Sequence, residues 1–370
     1  MVQLNWKIGV EVELMAPSGL SRQDLAESIA KAHNAEVYRI FHPQSEPSKV
    51  PGTPIFENLT LGFEVIDSED NLISRCVDDL TLQDDLDKSQ SSKPGWYRVV
   101  SDDSRLLELV ICNSSAVSPQ SEVLKPIASL FVTPLEIGPG GMVRVVDNND
   151  NPIAIATSLP GERERPCELI TPPMERDHLQ SLEALLSIAR SLGFTIAAEG
   201  ATHIHFDGKS LCNARIFANL VNLLWTYGDI LKQLVGTNSK CRRLGSWDAT
   251  LLETVNQSYF CELPWEEAKV HLVKSQPTKY CDFNLKNIIY GIPDKFTFEA
   301  RIFPGWIDAQ SILQAAALME AILNYVQEVE KILPSEPLIW DLVIVQDFLK
   351  SLPMSGDIQE VWQSRAESFV

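Results

Sequence analysis

The sequence is poor in the residues that build the common metal and redox motifs. Its 370 residues include only six histidines, and its seven cysteines are scattered without a CxxC pair. A zinc ribbon or a dithiol redox site is therefore not expected, and dispersed cysteines suit reduced thiols in a cytosol. The HExxH motif of zinc hydrolases is also missing.

Signals for membranes and nucleic acids are weak as well. The opening residues, MVQLNWKIGVEVEL, show no basic segment followed by an apolar one, so no secretory signal is expected. The most apolar helical stretch carries Asp229 and Lys232, which predicts a buried amphipathic helix and not a membrane span. A net charge of −19 repels nucleic acids and anionic membranes. We therefore expect a cytoplasmic protein that binds neither nucleic acids nor membranes.

Predicted strands and long helices are interleaved along the chain. Ser21 predicts the start of a helix over 22–33, and further helices are expected at 177–192, 211–235 and 308–332, with one or two more within 338–369. Residues 43–54 are typical of a loop, 55–165 of β structure, and the acidic stretch 78–95 of a solvated surface. Because strict βαβ alternation is missing, the pattern favours an α+β fold with an antiparallel sheet.

Three predicted strands each place two ionisable side chains opposite an apolar face. Residues i and i+2 of a strand share a face, so the pairs are Glu11 with Glu13 in IGVEVEL, His203 with His205 in THIHF, and Glu299 with Arg301 in FTFEARIF. Each pair alone is typical of a solvated sheet face, but three together favour a site. Carboxylates with few imidazoles suit Mg²⁺ or Mn²⁺, and an arginine fork suits a phosphate.

Glu168, in RPCELITPP, is a fourth candidate. One carboxylate before a Pro-Pro stop fits a surface residue. It equally fits the end of a strand beside the metal-binding pairs.

Five motifs, GVEVEL, CELITPP, THIHF, KYCDFNL and FEARIF, occur in the order found in the putative amidoligase family, which the sequence resembles over about 7–15 and 95–330. That family belongs to the glutamine synthetase-like and glutamate–cysteine ligase-like carboxylate–amine ligases. The resemblance implies a curved antiparallel sheet with helices behind it. It also implies a catalytic domain over 1–335, with a β-rich inserted region at about 45–165, and a C-terminal helical segment over 336–370.

The resemblance assigns roles to individual residues, with ATP and Mg²⁺ or Mn²⁺ as cofactors. It implies that Glu11 and Glu13 bind different metal ions, and the full set of implied metal ligands is Glu11, Glu13, Glu168, His203 and Glu299. Arg301 matches the arginine that grips the transferring phosphate, and His205, Lys279 and Asn284 match positions at the nucleotide or acceptor pocket. The segment WYRVVSDDS points to Asp103 or Asp102 for the amine, so Arg301, Glu299 and Asp103 are the expected catalytic residues.

The implied activity is an ATP-dependent ligase that joins a small-molecule or peptide carboxylate to an amine through an acyl phosphate. Two alternatives stay open. A metal-dependent hydrolase would use the same Glu and His residues without ATP, and a non-catalytic relative would bind a nucleotide or a peptide only. The sequence predicts neither the substrates nor the oligomeric state.

Overall fold

The structure is a computed structural model that describes residues 3–47, 55–242 and 244–369. The described strands pair antiparallel. They are β1 (Ile8–Met15), β2 (Glu36–Pro47), β3 (Ile55–Ile66), β4 (Leu72–Val77), β5 (Tyr97–Ser101), β6 (Glu136–Ile137), β7 (Val143–Val146), β8 (Pro152–Ser158), β9 (Pro166–Ile170), β10 (Thr195–Ile196), β11 (Ala201–Asp207), β12 (Phe283–Asn284) and β13 (Thr297–Pro304).

The described α-helices range from single turns to six turns. They are α1 (Arg22–His33), α2 (Ser104–Asn113), α3 (Lys125–Phe131), α4 (His178–Ser191), α5 (Ala214–Val235), α6 (Ala249–Val255), α7 (Trp265–Val273), α8 (Lys286–Ile289), α9 (Ala309–Glu328), α10 (Leu342–Ser351) and α11 (Gly356–Glu367). None of the helices in the described ranges is long and apolar enough to cross a bilayer.

The chain forms two compact units. Unit 1 comprises Met1–Val12, Pro173–Ser187 and Glu199–Val370, and unit 2 comprises Glu13–Pro172 and Ile188–Ala198. Strand β1 and helix α4 each contribute residues to both units.

Unit 1 contains four neighbouring strands in the order β12-β13-β11-β1. Helix α5 packs against β13 and α9, and it begins where the Asn213 side chain accepts hydrogen bonds from the first turn. It ends at Gly236, whose φ of 73° is the left-handed conformation that glycine adopts without strain. The apolar face of β13, with Phe298, Ala300 and Ile302 fully buried, contributes to this core.

Unit 2 is built on a larger antiparallel sheet with strands in the order β9-β4-β3-β5-β8-β7-β6. Strand β2 also pairs with β3, and α1 packs against β3 and β4. A second core lies where α2 and α3 cover β5, β7 and β8, with Val99, Val110, Val145 and Ala156 buried. The described fold is therefore α+β with a large antiparallel sheet, as the sequence predicted. The glutamine synthetase-like curvature and the domain limits at 45, 165 and 335 stay predictions.

Local predictions succeed where the sequence signal is strong. Ser21 is the N-cap of α1, and its exchange of hydrogen bonds with Asp24 forms a capping box. The region 55–165, predicted as β-like, contains strands β3 to β8, but the unpredicted helices α2 and α3 lie between β5 and β6. The loop predicted at 43–54 is wrong up to Pro47, which ends β2, and its remainder lies outside the described residues.

The acidic stretch 78–95 was expected to be solvated, and its first residues are not. Asp78, Asp79, Leu80 and Leu82 are buried, while 84–85 and 87–91 are exposed. Arg163 explains this difference, because its guanidinium donates hydrogen bonds to Asp78 Oδ1 at 2.6 Å and to the Asp79 carbonyl at 3.0 Å. The ion pair with Arg163 allows the Asp78 carboxylate to leave water, and the Asp79 carboxylate accepts from the Thr81 N–H and hydroxyl at 2.7 Å each.

Candidate metal centre

Strand register in unit 1 brings the predicted polar pairs together. Glu11 lies directly opposite His203, and His205 lies directly opposite Glu299. Asn284 is in turn opposite Glu299 on the other side of β13. Opposite residues in an antiparallel sheet have their β-carbons about 5 Å apart, so their side chains can make direct contact.

A β-bulge interrupts this register beside the polar cluster. The pairing of β11 with β13 shifts by one residue between Thr202 and Ile204, so that Arg301 and Ile302 both lie opposite His203. Bulges turn a side chain away from the regular alternation and are frequent next to active sites. Here the bulge sets the position of Arg301.

Glu11 contacts both imidazoles. Its Oε2 lies 3.2 Å from His203 Nδ1, and its Oε1 lies 3.3 Å from His205 Nε2. The other ring nitrogen of His205, Nδ1, is 3.0 Å from the Thr297 hydroxyl, which fixes the orientation of the ring. One carboxylate therefore joins the two histidines of the HxH pair.

Glu299 is held by two donors, one on each carboxylate oxygen. Arg301 Nη1 donates to Oε1 at 2.5 Å, and Asn284 Nδ2 donates to Oε2 at 2.7 Å. The same Oε1 is 3.7 Å from His203 Nδ1 and 3.8 Å from His205 Nε2. Glu299, Arg301, Asn284 and His203 are all buried, so these charges interact at a low effective dielectric constant.

The two carboxylates of the cluster are strongly acidic. Burial alone would raise the pKa of Glu11, but the charges of His205 and His203 and hydrogen bonds with them outweigh it and hold that pKa well below its ordinary value. Burial likewise opposes ionisation of Glu299, yet the positive charge of Arg301, aided by His205, lowers its pKa to about 2. Both groups are therefore anionic at neutral pH, as metal ligands must be.

The two histidines have opposite electrostatic environments. Burial and the positive charge of Arg301 lower the pKa of His203, despite its contacts with Glu11 and Glu299. Burial also disfavours the charged form of His205, but Glu11 and Glu299 outweigh this effect and raise its pKa. His203 thus favours the neutral form, which is the form that binds metals.

The residues of unit 1 fit a divalent cation. Glu11, His205 and Glu299 each offer one ligand atom, and these atoms lie within 4.8 Å of one another. Two ionised carboxylates with an imidazole form a donor set that Mg²⁺ or Mn²⁺ accepts. The predicted ligand His203 belongs to the same cluster through its contacts with Glu11 and Glu299.

A second acidic group lies in unit 2. Ligand atoms of Glu13, Asp79 and Glu168 lie within 4.8 Å of one another. Glu13 is on β1, Glu168 is opposite Val77 in the pairing of β9 with β4, and Asp79 follows two residues after Val77. The sequence pointed to Glu13 and Glu168 but missed Asp79. No local signal marks it, because the acidic stretch around it is typical of a solvated surface and its contact with Arg163 is long-range.

Asp103 has a clear structural role. It is the N-cap of α2, where its Oδ1 accepts from the Arg105 backbone N–H, and its carboxylate also pairs with the Arg105 guanidinium at 2.6 Å. These hydrogen bonds lower the pKa of Asp103 to about 2. Its neighbour Asp102 is exposed in the turn before that helix. A catalytic role for Asp103 stays a prediction.

The stretch around Lys279 leads directly to the cluster. Lys279 is half-buried, and its Nζ lies 5.6 Å from the ring centre of Tyr280. The Asp282 carbonyl accepts a hydrogen bond from Arg301 N at 3.0 Å, and Asn284 follows with its contact to Glu299. Asn284 thus contacts the cluster, and the nucleotide contacts of Asn284 and Lys279 both stay predictions.

Comparison with known proteins gives one result. Against curated proteins and against solved structures, the chain yields no significant match. A family model described as "putative amidoligase enzyme" matches residues 4–323, which include every residue of the unit 1 cluster and of the unit 2 acidic group. The chain therefore belongs to the putative amidoligase family.

Proposed function

We propose that this protein is an ATP-dependent carboxylate–amine ligase and that the unit 1 cluster binds the metal ion and the nucleotide phosphates. The observation that carries the proposal is the register that groups the ligand atoms of Glu11, His205 and Glu299 within 4.8 Å, with Arg301 bonded to Glu299. Membership of a family of putative amidoligases supports the ligase class.

Glu11, Glu299 and the imidazoles of His203 and His205 would hold Mg²⁺ or Mn²⁺. Such an ion, when bound, neutralises charge on phosphoryl oxygens. Asn284 orients the Glu299 carboxylate through the hydrogen bond to Oε2, so it is a positioning residue. Arg301 is held by Glu299 and supplies positive charge to the transferring phosphoryl group.

The proposed reaction has two steps. A carboxylate oxygen of the acid substrate attacks the γ-phosphorus of ATP, and ADP leaves. The amine nitrogen then attacks the acyl carbon, inorganic phosphate leaves, and the amine loses a proton. Asp103, the residue that the sequence predicted to accept this proton, caps α2 and pairs with Arg105, and its role in this step stays a prediction.

The acidic group of unit 2 supports a second cation. Glu11 groups with His205 and Glu299 in unit 1, and Glu13 groups with Asp79 and Glu168 in unit 2. That the two glutamates bind different ions stays part of the proposal. In this proposal Asp79 joins Glu13 and Glu168 as a ligand.

Release of ADP and formation of an amide test the proposal. Candidate acids and amines are offered in combination with ATP and Mg²⁺, and a ligase gives one ADP per amide only when both substrates are present. Cleavage of an amide without ATP would support the hydrolase alternative. Nucleotide binding without any turnover would support the non-catalytic alternative.

Nucleotide binding gives an independent test that needs no substrate. A site lined by ionised Glu11 and Glu299 repels a polyphosphate unless cations screen it. ATP should therefore bind in Mg²⁺ and lose most of its affinity in a chelator, as measured by calorimetry. Equal affinity in both conditions would contradict the metal-bridged site.

Variants connect the activity to the cluster. Arg301→Lys should lose most of the turnover because a point charge does not reproduce the arginine fork, and added metal should not restore it. Arg75→Lys is a matched control, since Arg75 pairs with Glu64 at 2.6 Å on a partly exposed face of unit 2. Normal turnover in folded Arg301→Lys would remove the phosphate contact from the proposal.

A further inference from the structure

Unit 2 contains a cavity whose charge is opposite to that of the protein. Its volume is about 290 Å³, and three cationic side chains line it beside an apolar wall. The cations are Lys88, Arg98 and Arg163, and the apolar wall includes Leu80, Leu86 and Leu159. None of the described residues that line it carries a carboxylate.

A cluster of positive charges in this cavity is unexpected for such an acidic chain. The protein has 50 acidic and 31 basic residues, so basic side chains are scarce. Within the described ranges Lys88 makes no ion pair, and Arg163 pairs with Asp78, which also lies 3.5 Å from Arg22. Like charges that share a cavity repel each other, so an anion that enters the cavity relieves this repulsion.

Arg163 gives the cavity a fixed cationic wall. It is 9% exposed, and its guanidinium donates to the Leu82 carbonyl at 2.7 Å as well as to Asp78 and the Asp79 carbonyl. A guanidinium held by three partners needs no reordering when a ligand binds, which lowers the entropic cost of binding. The Asp79 contact also places this wall next to the Glu13–Asp79–Glu168 group.

Two loops that form the cavity are locked together. Gly161 has a φ of +79°, and a side chain there would meet the backbone of Lys88, with a β-carbon 2.9 Å from Lys88 Cα. Its N–H also donates to the Gln90 carbonyl at 2.9 Å. The loop that carries Lys88 and the loop that carries Arg163 therefore keep the cavity preformed.

We infer that this cavity binds the carboxylate or phosphate end of a small molecule whose remaining body is apolar. The three cations match the anionic end. The leucine side chains match the apolar body, and the volume admits a ligand of that size. The inference concerns a site separate from the unit 1 cluster and does not depend on the ligase reaction.

Calorimetric titration with simple probes tests the inference. Hexanoate and hexyl phosphate carry the same apolar body with the two kinds of anionic end, and inorganic phosphate lacks the body. All titrations contain a chelator and no ATP, so a metal or nucleotide site cannot contribute. We expect hexanoate or hexyl phosphate to bind more tightly than inorganic phosphate, and the tighter of the two identifies the preferred end.

Variants show whether the binding occurs in this cavity. Lys88→Gln should weaken the tighter probe about tenfold, and Lys88→Gln with Arg98→Gln about a hundredfold, because each lost charge-assisted contact costs about that factor. Lys93→Gln is the matched control, since Lys93 is an exposed lysine five residues further along that does not line the cavity. Melting curves verify folding, and Lys88 is exposed, so its single substitution keeps the test valid if the double variant unfolds.

Two results would overturn the inference. One is the absence of binding by either hexyl probe at millimolar concentration. The other is an equal affinity in the wild type, Lys88→Gln and Lys93→Gln, which would place the anion elsewhere. Loss of probe binding in Lys88→Gln together with normal ATP and Mg²⁺ binding would support the cavity whatever the outcome for the ligase.

Discussion

Asn284 donates a hydrogen bond to Glu299 Oε2 across 2.7 Å, from the position directly opposite on the neighbouring strand. Arg301 donates to the other oxygen, so the carboxylate is fixed at both ends. The side-chain oxygen of Asn284 in turn accepts from the Lys286 backbone N–H at 2.9 Å. The orientation of this metal-ligand candidate is therefore set by its neighbours.

Asn284→Ala should weaken metal binding without abolishing it. Loss of a partner that orients a ligand typically costs 10–100-fold in metal affinity, and we expect a decrease of about that size for Mn²⁺ in calorimetry. Asn256→Ala is the control, because Asn256 exchanges hydrogen bonds with Asn222 and contacts no carboxylate of the cluster. Unchanged Mn²⁺ affinity in Asn284→Ala would contradict a metal role for Glu299.

Glu299→Ala should destabilise the protein strongly. Glu299 and Arg301 form a buried pair, and removing one partner leaves an uncompensated buried charge at a cost of about 3–5 kcal/mol. Urea denaturation measures the difference, and the double variant Glu299→Ala with Arg301→Leu should recover part of it. A loss below about 1 kcal/mol would show that water reaches Arg301.

Arg22 should be as important for the stability of unit 2 as Glu299 is for that of unit 1. Its guanidinium is buried and donates to the carbonyls of Leu61, Arg163 and Pro166, and it stacks over Trp96 with 4.5 Å between Cζ and the ring centre. Lys cannot make these planar contacts together.

We expect Arg22→Lys to lower the free energy of unfolding by about 2–4 kcal/mol, from two or more buried hydrogen bonds lost. The half-buried neighbour Gln23 forms a surface hydrogen bond with Glu27, so Gln23→Ala should change stability by less than about 0.5 kcal/mol. Urea denaturation of both variants is the comparison. Equal stability would mean that the carbonyls find other partners.

Cys281 should be unreactive in the folded protein. Burial raises the pKa of its thiol to about 12, so at pH 8 only about one thiol in 10⁴ is the reactive thiolate. Iodoacetamide at pH 8 should modify the exposed Cys112 first, and peptide mapping by mass spectrometry gives the order. Early modification of Cys281 would reveal opening of the segment before β12.

Period-two patterns predicted the faces of the site strands because pleating fixes where alternate side chains point. Val10 and Val12 are buried as expected, and Glu11 and His203 face each other from strands 192 residues apart in sequence. The pattern could not predict which residues lie opposite each other. Register depends on long-range pairing and on the bulge at His203, which no local signal contains.

One structural role had a local signal in the sequence. Leu106, Leu107 and Val110 follow Asp103 at helical spacing and mark it as the cap of α2, while its catalytic role stays a prediction. Burial of Asp79 had no such signal, because its backbone carbonyl accepts from Arg163, which is 84 residues later in the chain. Long-range partners decide the burial of charged residues.

The bulge in β13 has a consequence for insertions and deletions. Two residues, Arg301 and Ile302, occupy the space opposite one, so the strand is one residue longer than continuous pairing requires. Deleting Ile302 would leave a regular ladder in which Ala300 and Phe303 still alternate with Arg301. The extra residue is thus dispensable for strand pairing. Its removal would show whether the sheet still assembles when the guanidinium of Arg301 is no longer oriented by the bulge.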